Sequence, residues 1–393
     1  MSRLQAEGLY KVFGRRPGEA VKKLESGSDR DELRAEGTTA AVIDASFSVE
    51  PGQIFVVMGL SGSGKSTLLR MLNGLLDPTA GRVLFDGQDL TALSPKDLRD
   101  VRAKKISMVF QHFALFPHRS VLENAAYGLE VQGVPRAERE KRAHEALEMA
   151  GLKGWEKSWP DELSGGMQQR VGLARALATD ADLLLMDESF SALDPLIRRD
   201  MQDQLLSLQK TLKKTIVFIT HDLNEAMRLG DNIAVMRDGR IVQLGTAEDI
   251  LVTPANDYVA SFTQDVDRSR VLTAGAIMAE PHTAIGTQDE SGKELRTPQD
   301  VIAAAPATVS ADTPIIELFT PCSTSAVPVA VTDAKGSLIG VVPRSRLLAV
   351  LGEPMEPTVP GLAGDTEAGQ QDAKNVKAGR QDAKNVKKVS AGA

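Results

Sequence analysis

The chain has 393 residues, of which 42% are hydrophobic and 25% are charged, as in ordinary globular proteins, and its length predicts two or three domains. The formal net charge of −7 at pH 7 argues against a general nucleic-acid-binding protein, which would carry a basic excess. The single cysteine, Cys322, excludes an internal disulfide and fits a reducing cytosol. The sequence contains neither a secretory signal pattern nor about 18 consecutive apolar residues, so we expect no membrane-spanning helix.

Three short apolar runs, each followed by polar residues, predict buried parallel strands. They are Ile54–Met58, Leu183–Met186 and Thr215–Ile219. Helical stretches separate them, including one that opens at Ser66 and a helix-rich block over about 115–177. Strands alternating with helices, with polar residues at the carboxyl ends of the strands, predict an α/β fold with a mostly parallel sheet.

The segment Gly59–Ser66 fits the phosphate-binding pattern G-x-x-x-x-G-K-[ST] at every defined position. Glycines in such a loop let backbone N–H groups surround phosphate oxygens, and the start of the following helix adds its positive dipole end. The Lys65 side chain reaches the β- and γ-phosphates, and the Ser66 hydroxyl is a ligand for Mg²⁺. We therefore predict a nucleoside triphosphate site formed by Gly59, Ser61, Gly62, Ser63, Gly64, Lys65, Ser66 and Thr67.

Two adjacent carboxylates follow the second apolar run. Asp187 comes directly after four apolar residues, which is typical of the carboxylate that holds Mg²⁺ directly or through water. Glu188 is placed to polarise an attacking water molecule as a general base. An Asp-Glu pair can also be merely the negative charge at a helix start, but the apolar run and the phosphate loop favour the catalytic interpretation.

The segment Leu163–Arg170 reads Leu-Ser-Gly-Gly-Met-Gln-Gln-Arg and closely resembles the L-S-G-G-Q signature of ATP-binding cassette (ABC) ATPases. It departs from that pattern only at Met167, where the family has glutamine. The resemblance implies that Ser164, Gly165 and Gly166, at a helix N-terminus, contact the γ-phosphate of a nucleotide held by another cassette. A side-chain role of the fifth position does not carry over to Met167.

Further elements of the family appear in its order. Gln111 matches the Q-loop glutamine, Ser191–Asp194 matches the D-loop, and His221 matches the switch histidine that contacts the γ-phosphate. The resemblance covers residues 1 to about 262. It implies the catalytic residues Lys65, Gln111, Glu188 and His221, the Mg²⁺ ligands Ser66, Gln111 and Asp187, and a nucleotide contact by Asp194.

The aromatic residue that stacks on adenine in this family is best matched by Phe13, with Tyr10 as the alternative. An insertion at 14–40 separates Phe13 from the phosphate loop. Within it, Glu19–Glu25 can form a short amphipathic helix, and a solvated surface segment is favoured over a contact surface.

The resemblance also implies the architecture and the partners. We expect a P-loop NTPase of the ABC cassette type over 1–265, with a helical signature subdomain at about 115–177. Because one copy of each motif is present and a complete site needs two cassettes, the resemblance implies a homodimer. It further implies ATP and Mg²⁺ as cofactors and ATP hydrolysis coupled to transport by a permease. The subunit is then peripheral at the cytoplasmic face of the membrane, and an extracytoplasmic substrate-binding protein acts indirectly.

A finer resemblance is to the ATPases of glycine betaine, proline betaine and choline importers. It rests on strings such as Leu9–Gly14, Pro160–Met167, Ser191–Arg198 and Pro254–Val259. None of these strings touches a transported solute, so the substrate follows by analogy. An importer of another small solute, such as an amino acid or a sugar, and a soluble ABC ATPase of repair or translation remain the alternatives.

The region 268–352 predicts a small α+β domain. Residues 308–351 resemble one CBS motif, a module that works in pairs, and 268–307 contains no convincing first copy. Two apolar runs, Ser325–Val331 and Ser337–Val342, predict a hairpin. The positions that would hold an adenosine are Pro343 and Arg346, which disfavours that ligand; a structural pairing domain is favoured, and an anion or lipid contact by Arg344 and Arg346 is the alternative.

Beyond this region the chain is polar, and Gln371–Lys377 recurs unchanged as Gln381–Lys387. A two-copy repeat this short cannot bury a core, so we expect a disordered tail over 353–393.

Overall fold

The computed structural model describes residues 3–111, 113–264 and 266–352, so the predicted tail at 353–393 lies outside the described residues. The strands are β1 Leu4–Phe13, β2 Thr39–Val49, β3 Ile54–Met58, β4 Ala80–Phe85, β5 Gln88–Asp89, β6 Ile106–Val109, β7 Leu183–Asp187, β8 Thr215–Thr220, β9 Asn232–Arg237, β10 Arg240–Gly245, β11 Thr308–Ser310, β12 Val329–Thr332 and β13 Leu338–Val342.

The helices are α1 Pro17–Glu25, α2 Arg30–Ala35, α3 Lys65–Leu72, α4 Pro95–Lys105, α5 Val121–Val131, α6 Arg136–Met149, α7 Gly165–Ala178, α8 Pro195–Leu212, α9 Leu223–Leu229, α10 Ala247–Val252, α11 Asp257–Thr263, α12 Arg268–Val271, α13 Ala274–Ile277, α14 Pro298–Ala304, α15 Phe319–Thr324 and α16 Arg344–Gly352. Within the described ranges, no helix has both the length and the apolar character needed to cross a lipid bilayer.

A six-stranded sheet in the order β10-β9-β3-β8-β7-β6 forms the centre of the fold. All pairs in it are parallel except β9 with β10. Every residue of β3 and β8 is buried, because helices and a second sheet cover both faces of these strands. The structure thus confirms the three strands and the mostly parallel sheet that the apolar runs predict.

A second, antiparallel sheet has the order β2-β1-β4-β5. Its apolar face packs on the central sheet, where the rings of Phe47 and Phe55 stack with centroids 4.7 Å apart. Both rings belong to one buried cluster that also includes Leu68 and Leu72 of α3. This packing holds the start of α3 against the ends of the central strands, which positions the phosphate loop.

Three helices, α5, α6 and α7, pack around a separate cluster that includes Leu129, Leu147 and Val171. The Ser120 side chain accepts a hydrogen bond from the backbone of Glu123, and the Glu123 carboxylate accepts one in return. This capping box fixes the start of α5. These helices fill most of the predicted helical block, and α7 begins at the segment that resembles the signature.

The insertion at 14–40 folds into α1 and α2, and α1 contains the predicted helix. Val21, Leu24 and Leu33 are buried in a cluster with Tyr10 and other residues of β1 and β2. The favoured interpretation, a solvated surface segment, is therefore incomplete. One face of the insertion extends the core of the antiparallel sheet.

The C-terminal region contains the predicted hairpin, in which β12 and β13 pair antiparallel, and β11 adds to β12 in parallel. Residues 268–307 form single-residue β-bridges rather than continuous strands. One of these bridges joins Ala279 to Val341, and the two residues exchange two backbone hydrogen bonds. The Arg346 guanidinium donates to the carbonyls of Ile277 and Met278. These bonds attach α16 to the first half of the region, although the Arg346 side chain is exposed. The structural role favoured for this region stays a prediction.

Truncating Leu33 tests whether the insertion belongs to the core. Leu33→Ala deletes a side chain that is fully buried on the antiparallel sheet, so we expect a loss of about 2–5 kcal/mol in the free energy of unfolding. Urea denaturation measures it. Leu244→Ala is the control, because Leu244 is 49% exposed. Equal stability of Leu33→Ala and the natural protein would show that the insertion does not pack.

Candidate functional site

The phosphate loop lies between β3 and α3 and depends on two close backbone contacts. Gly59 has φ +150°, and a Cβ atom there would lie 2.2 Å from the Met236 carbonyl oxygen. Gly64 has φ +105°, and its Cβ would lie 2.2 Å from the Ala41 carbonyl oxygen. Only glycine fits at either position without displacing the backbone. The Ser63 hydroxyl, next to Gly64, is buried without a hydrogen-bond partner.

Lys65 is only 4% exposed. Its Nζ donates to the carbonyls of Gly59 at 2.8 Å and Leu60 at 3.1 Å, and it lies 3.7 Å from Glu188 Oε1. Burial lowers the pKa of Lys65, and the Glu188 carboxylate opposes that shift. The loop thus concentrates a positive charge beside its backbone N–H groups, which suits an anionic phosphate chain.

Asp187, the last residue of β7, accepts a hydrogen bond from Ser66 Oγ at 3.0 Å. Burial raises the pKa of Asp187, and the hydrogen bond from Ser66 opposes that shift. Adjacent oxygen ligands of an octahedral Mg²⁺, each about 2.1 Å from the ion, lie about 3 Å apart. The two side chains therefore fit neighbouring positions of one Mg²⁺ shell.

The remaining ligands of such an ion would come from phosphate and water. Among the residues that the structure describes, no group of three or more His, Cys, Asp and Glu side chains is arranged to hold a metal. Mg²⁺ usually takes few protein ligands and retains water and phosphate oxygens, so the pair fits this ion.

Glu188 and His221 are brought together at the carboxyl ends of β7 and β8. His221 Nδ1 lies 3.1 Å from Glu188 Oε2. Glu188 has φ +43°, a left-handed conformation uncommon for a non-glycine residue, and its backbone N–H donates to the Ile219 carbonyl. One carboxylate therefore faces Lys65 with one oxygen and His221 with the other.

Gln111 reaches the same site indirectly. Its Nε2 donates to Ser191 Oγ at 3.2 Å, and that hydroxyl donates to the Glu188 carbonyl at 2.8 Å. Ser191 is a contact residue that the motif comparison does not single out, although its place at the start of the D-loop could have indicated it. The predicted contact of Gln111 with Mg²⁺ stays a prediction, since the described contact is to Ser191.

The signature segment lies at the start of α7. Ser164 Oγ accepts a hydrogen bond from the Met167 backbone at 3.4 Å, and Ser164 and Gly165 are exposed. Gly166 is buried, and a Cβ there would lie 2.5 Å from Ile197 Cγ2 of α8. Asp194 caps α8 by accepting from the Ile197 N–H at 3.0 Å.

No hydrogen bond between described residues joins Ser164 to the phosphate loop. Asp194 likewise contacts its own helix rather than that loop.

Phe13 ends β1 and its side chain is 44% exposed, whereas Tyr10 is 8% exposed and belongs to the core. The Lys11 ammonium lies 5.3 Å from the centre of the Phe13 ring. Phe13 pairs with Thr39, two residues before Ala41, whose carbonyl contacts Gly64. Phe13 therefore has an exposed ring that could receive a base, and the buried Tyr10 ring does not.

A cavity of about 610 Å³ lies beside this site, not in it. Residues of α8 and α9 line it, and so do Asp267, Arg270 and Val271 from the start of the C-terminal region. Its lining includes residues that follow His221, among them Asp222 and Glu225.

The family model described as "ABC transporter" matches residues 42–191. The glycine betaine transport ATP-binding protein OpuAA of Bacillus subtilis is 49% identical over 385 residues, covering 89% of this chain and 92% of that protein. The glycine betaine/proline betaine transport system ATP-binding protein ProV of Escherichia coli is 45% identical, covering 89% and 97%. The chain belongs to the ABC transporter ATP-binding proteins.

Solved ABC cassettes have the same fold. A dimeric structure of MJ0796, a bacterial ABC transporter cassette, matches with a TM-score of 0.52 and 32% identity, covering 62% of this chain and 98% of that chain. The same cassette in a post-hydrolysis state bound to ADP and Pi gives a TM-score of 0.53 and 31% identity. These findings confirm the predicted fold class, and this ABC ATPase binds ATP and couples its hydrolysis to transport.

Two glycine-to-alanine substitutions distinguish the effect of a steric clash in the phosphate loop from the effect of backbone strain alone. In Gly64→Ala the new methyl group collides with the Ala41 carbonyl, whereas Gly62, with φ +80°, has open space around it. We expect Gly64→Ala to weaken Mg-ATP binding by about a hundredfold or more. Gly62→Ala should weaken it by about thirtyfold or less, since it adds only strain of about 1–2 kcal/mol. Calorimetric titration measures both, and equal affinities would contradict the contact.

Proposed function

We propose that this ABC ATPase energises the import of quaternary and related methylated amines such as glycine betaine, proline betaine and choline. The proposal rests on how much of the chain a relative covers, not on the percentage of identical residues. The methionine import protein MetN 2 of Rhodococcus jostii is 48% identical, but over 59% of this chain. OpuAA matches at nearly the same identity over 89%, so the added similarity includes the region outside the cassette.

The proposed substrates include methylated amines other than betaines. The trimethylamine N-oxide transport system ATP-binding protein TmoW of Ruegeria pomeroyi is 45% identical over 88% of this chain. Its named substrate shares the methylated, polar nitrogen of glycine betaine. Other small solutes, including amino acids, remain the alternative.

In the proposed catalytic cycle, two copies form two composite sites. Lys65 and the N–H groups of the phosphate loop hold the phosphates, and Phe13 stacks on the adenine. Ser164, Gly165 and Gly166 of the partner copy complete the γ-phosphate contacts, and Asp194 contributes at the same junction. Ser66 and Asp187, with Gln111, would hold a Mg²⁺ ion, which would supply neutralisation of the phosphate charge.

For hydrolysis, Glu188 acts as the general base that orients a water molecule. Its contact with His221 supports this assignment, because a histidine beside the base can stabilise the charge that develops on the transferred phosphate. Closure of the two copies then moves the helical subdomains, and Gln111 couples that motion to a permease. In this cycle the reaction class is that of an ATP-driven translocase.

The proposed location of the subunit is the cytoplasmic face of the membrane, where it binds a permease. A separate, extracytoplasmic substrate-binding protein delivers the solute to that permease. We further propose a cassette at 1–265 with its helical subdomain at about 115–177, a CBS-like domain at 268–352 and a disordered tail at 353–393. In the CBS-like domain, the parallel pairing of β11 with β12 and the antiparallel pairing of β12 with β13 suit the single CBS-like motif at 308–351. The role that we favour for this domain is structural.

Replacing the proposed base separates binding from turnover. Glu188→Gln keeps the size of the side chain but removes its basicity, so we expect ATP binding to persist while hydrolysis falls by at least about a hundredfold. Size-exclusion chromatography with Mg-ATP should then show a trapped dimer. Normal hydrolysis by this variant would exclude Glu188 as the base.

The substrate class is tested on the complex reconstituted with its permease and binding protein. We expect glycine betaine, proline betaine, choline or trimethylamine N-oxide to stimulate ATP hydrolysis, with methionine as the negative control. Stimulation by methionine alone would refute the amine assignment. Failure of the chain to purify with any membrane protein from detergent-solubilised membranes would favour a soluble ABC ATPase.

A further inference from the structure

A buried polar network lies directly behind His221. Thr220, the residue before it, is 2% exposed. The Thr220 hydroxyl donates to Glu225 Oε2 at 2.6 Å and accepts from the Asp222 backbone N–H at 2.9 Å. The Thr220 hydroxyl therefore links Thr220 and Asp222, which flank His221, to the Glu225 carboxylate.

Glu225 lies in the first turn of α9 and is 3% exposed. Its Oε1 accepts from Gln202 Nε2 of α8 at 3.2 Å, and the Arg198 guanidinium lies 3.9 Å away. Burial raises the pKa of Glu225, and Arg198 together with the hydrogen bonds from Thr220 and Gln202 opposes that shift. A carboxylate removed from water in this way is costly unless its partners are held in place.

Arg198 extends the network to the D-loop. Its Nη2 donates to the carbonyls of Leu193 at 3.0 Å and Ser191 at 3.4 Å, and its Nη1 donates to Asp222 Oδ2 at 3.4 Å. The same guanidinium thus contacts the residue after His221 and the backbone of the segment Ser191–Asp194. Ser191 in turn contacts Gln111 and the Glu188 carbonyl.

We infer that Thr220, Glu225 and Arg198 are positioning residues for hydrolysis, which hold the loop of His221 in a fixed relation to the D-loop and the Glu188 backbone. The inference rests on the proposed roles of His221 and Glu188. His221 is largely exposed, and its described contact is to Glu188, so its own side chain does little to fix the loop. The orientation of its ring must come from the backbone on either side, which Thr220 and Asp222 hold.

The role is specific to the catalytic step. None of the three side chains contacts the phosphate loop through a described hydrogen bond, so removing the network should leave nucleotide affinity nearly unchanged. A misplacement of a catalytic group by about 1 Å can lower a rate by about a hundredfold. A fall in kcat with an unchanged KM is the pattern expected for a group whose contribution arises in the transition state.

The test is steady-state ATP hydrolysis by full-length variants at Thr220. Thr220→Val keeps the shape and removes the hydroxyl, so we expect kcat to fall by about ten- to a hundredfold with KM for Mg-ATP within about twofold. Thr220→Ser restores the hydroxyl and should restore kcat to within about threefold of the natural protein.

A matched control exists on the same strand. Thr215, at the other end of β8, is 1% exposed and its hydroxyl accepts from the Gly52 N–H. It lies about 16 Å from Thr220 along the strand. Thr215→Val makes the same chemical change at equal burial, and we expect an unchanged kcat.

Each outcome decides the inference. A natural kcat in Thr220→Val, an equal loss in Thr215→Val, or no recovery in Thr220→Ser would overturn it. If Thr220→Val fails to fold, Glu225→Gln takes its place, and an unchanged kcat there overturns the inference as well. Glu188→Gln and His221→Ala are measured in parallel. If they retain hydrolysis, the proposed function fails; if they abolish it while Thr220→Val is normal, only the positioning role fails.

Discussion

Parallel pairing of β7, β8 and β3 in one register is the constraint on which the site depends. Asp187 lies opposite Ile219, and Met58 lies opposite Thr220. The residues that follow each strand therefore emerge at one edge of the sheet. Gly59, Glu188 and His221 meet there although more than a hundred residues separate the first from the second, and a one-residue slip of any strand would separate them.

The edge of the sheet concentrates charge in a partly buried setting. Lys65 faces the loop carbonyls and Glu188, while the half-buried Asp187 accepts a hydrogen bond from Ser66. Burial lowers the pKa of the lysine and raises that of the aspartate. Each group is thus destabilised in its charged form by burial and stabilised by its neighbours. An anionic phosphate chain with a divalent cation supplies the complementary charges, which explains why this arrangement suits Mg-ATP.

The C-terminal region shares the core of the cassette. Val259 of α11 belongs to the same buried cluster as Leu272, Ile315, Val329 and Val342. The Thr273 hydroxyl also donates to Glu248 of α10, so side-chain packing and hydrogen bonding both join the two regions. A cavity lined by residues of α8, α9 and the start of this region adjoins Arg198, Asp222 and Glu225. The network around Arg198 and Glu225 and the start of the C-terminal region therefore line one cavity.

Much of this protein follows from the sequence alone. The phosphate loop, the strand ending at Asp187 and the signature are local patterns, in which a few consecutive residues specify both backbone shape and chemistry. They determined the fold class, the nucleotide and the family. The tertiary structure alone decided that Tyr10 is buried while Phe13 is exposed, that the insertion packs on the antiparallel sheet, and that Ser191 connects Gln111 to Glu188. It also assembled Thr220, Glu225 and Arg198 around the loop of His221. Many of these contacts join residues distant in the chain, and even the local ones depend for their burial and hydrogen bonding on how whole elements pack, which no short pattern encodes.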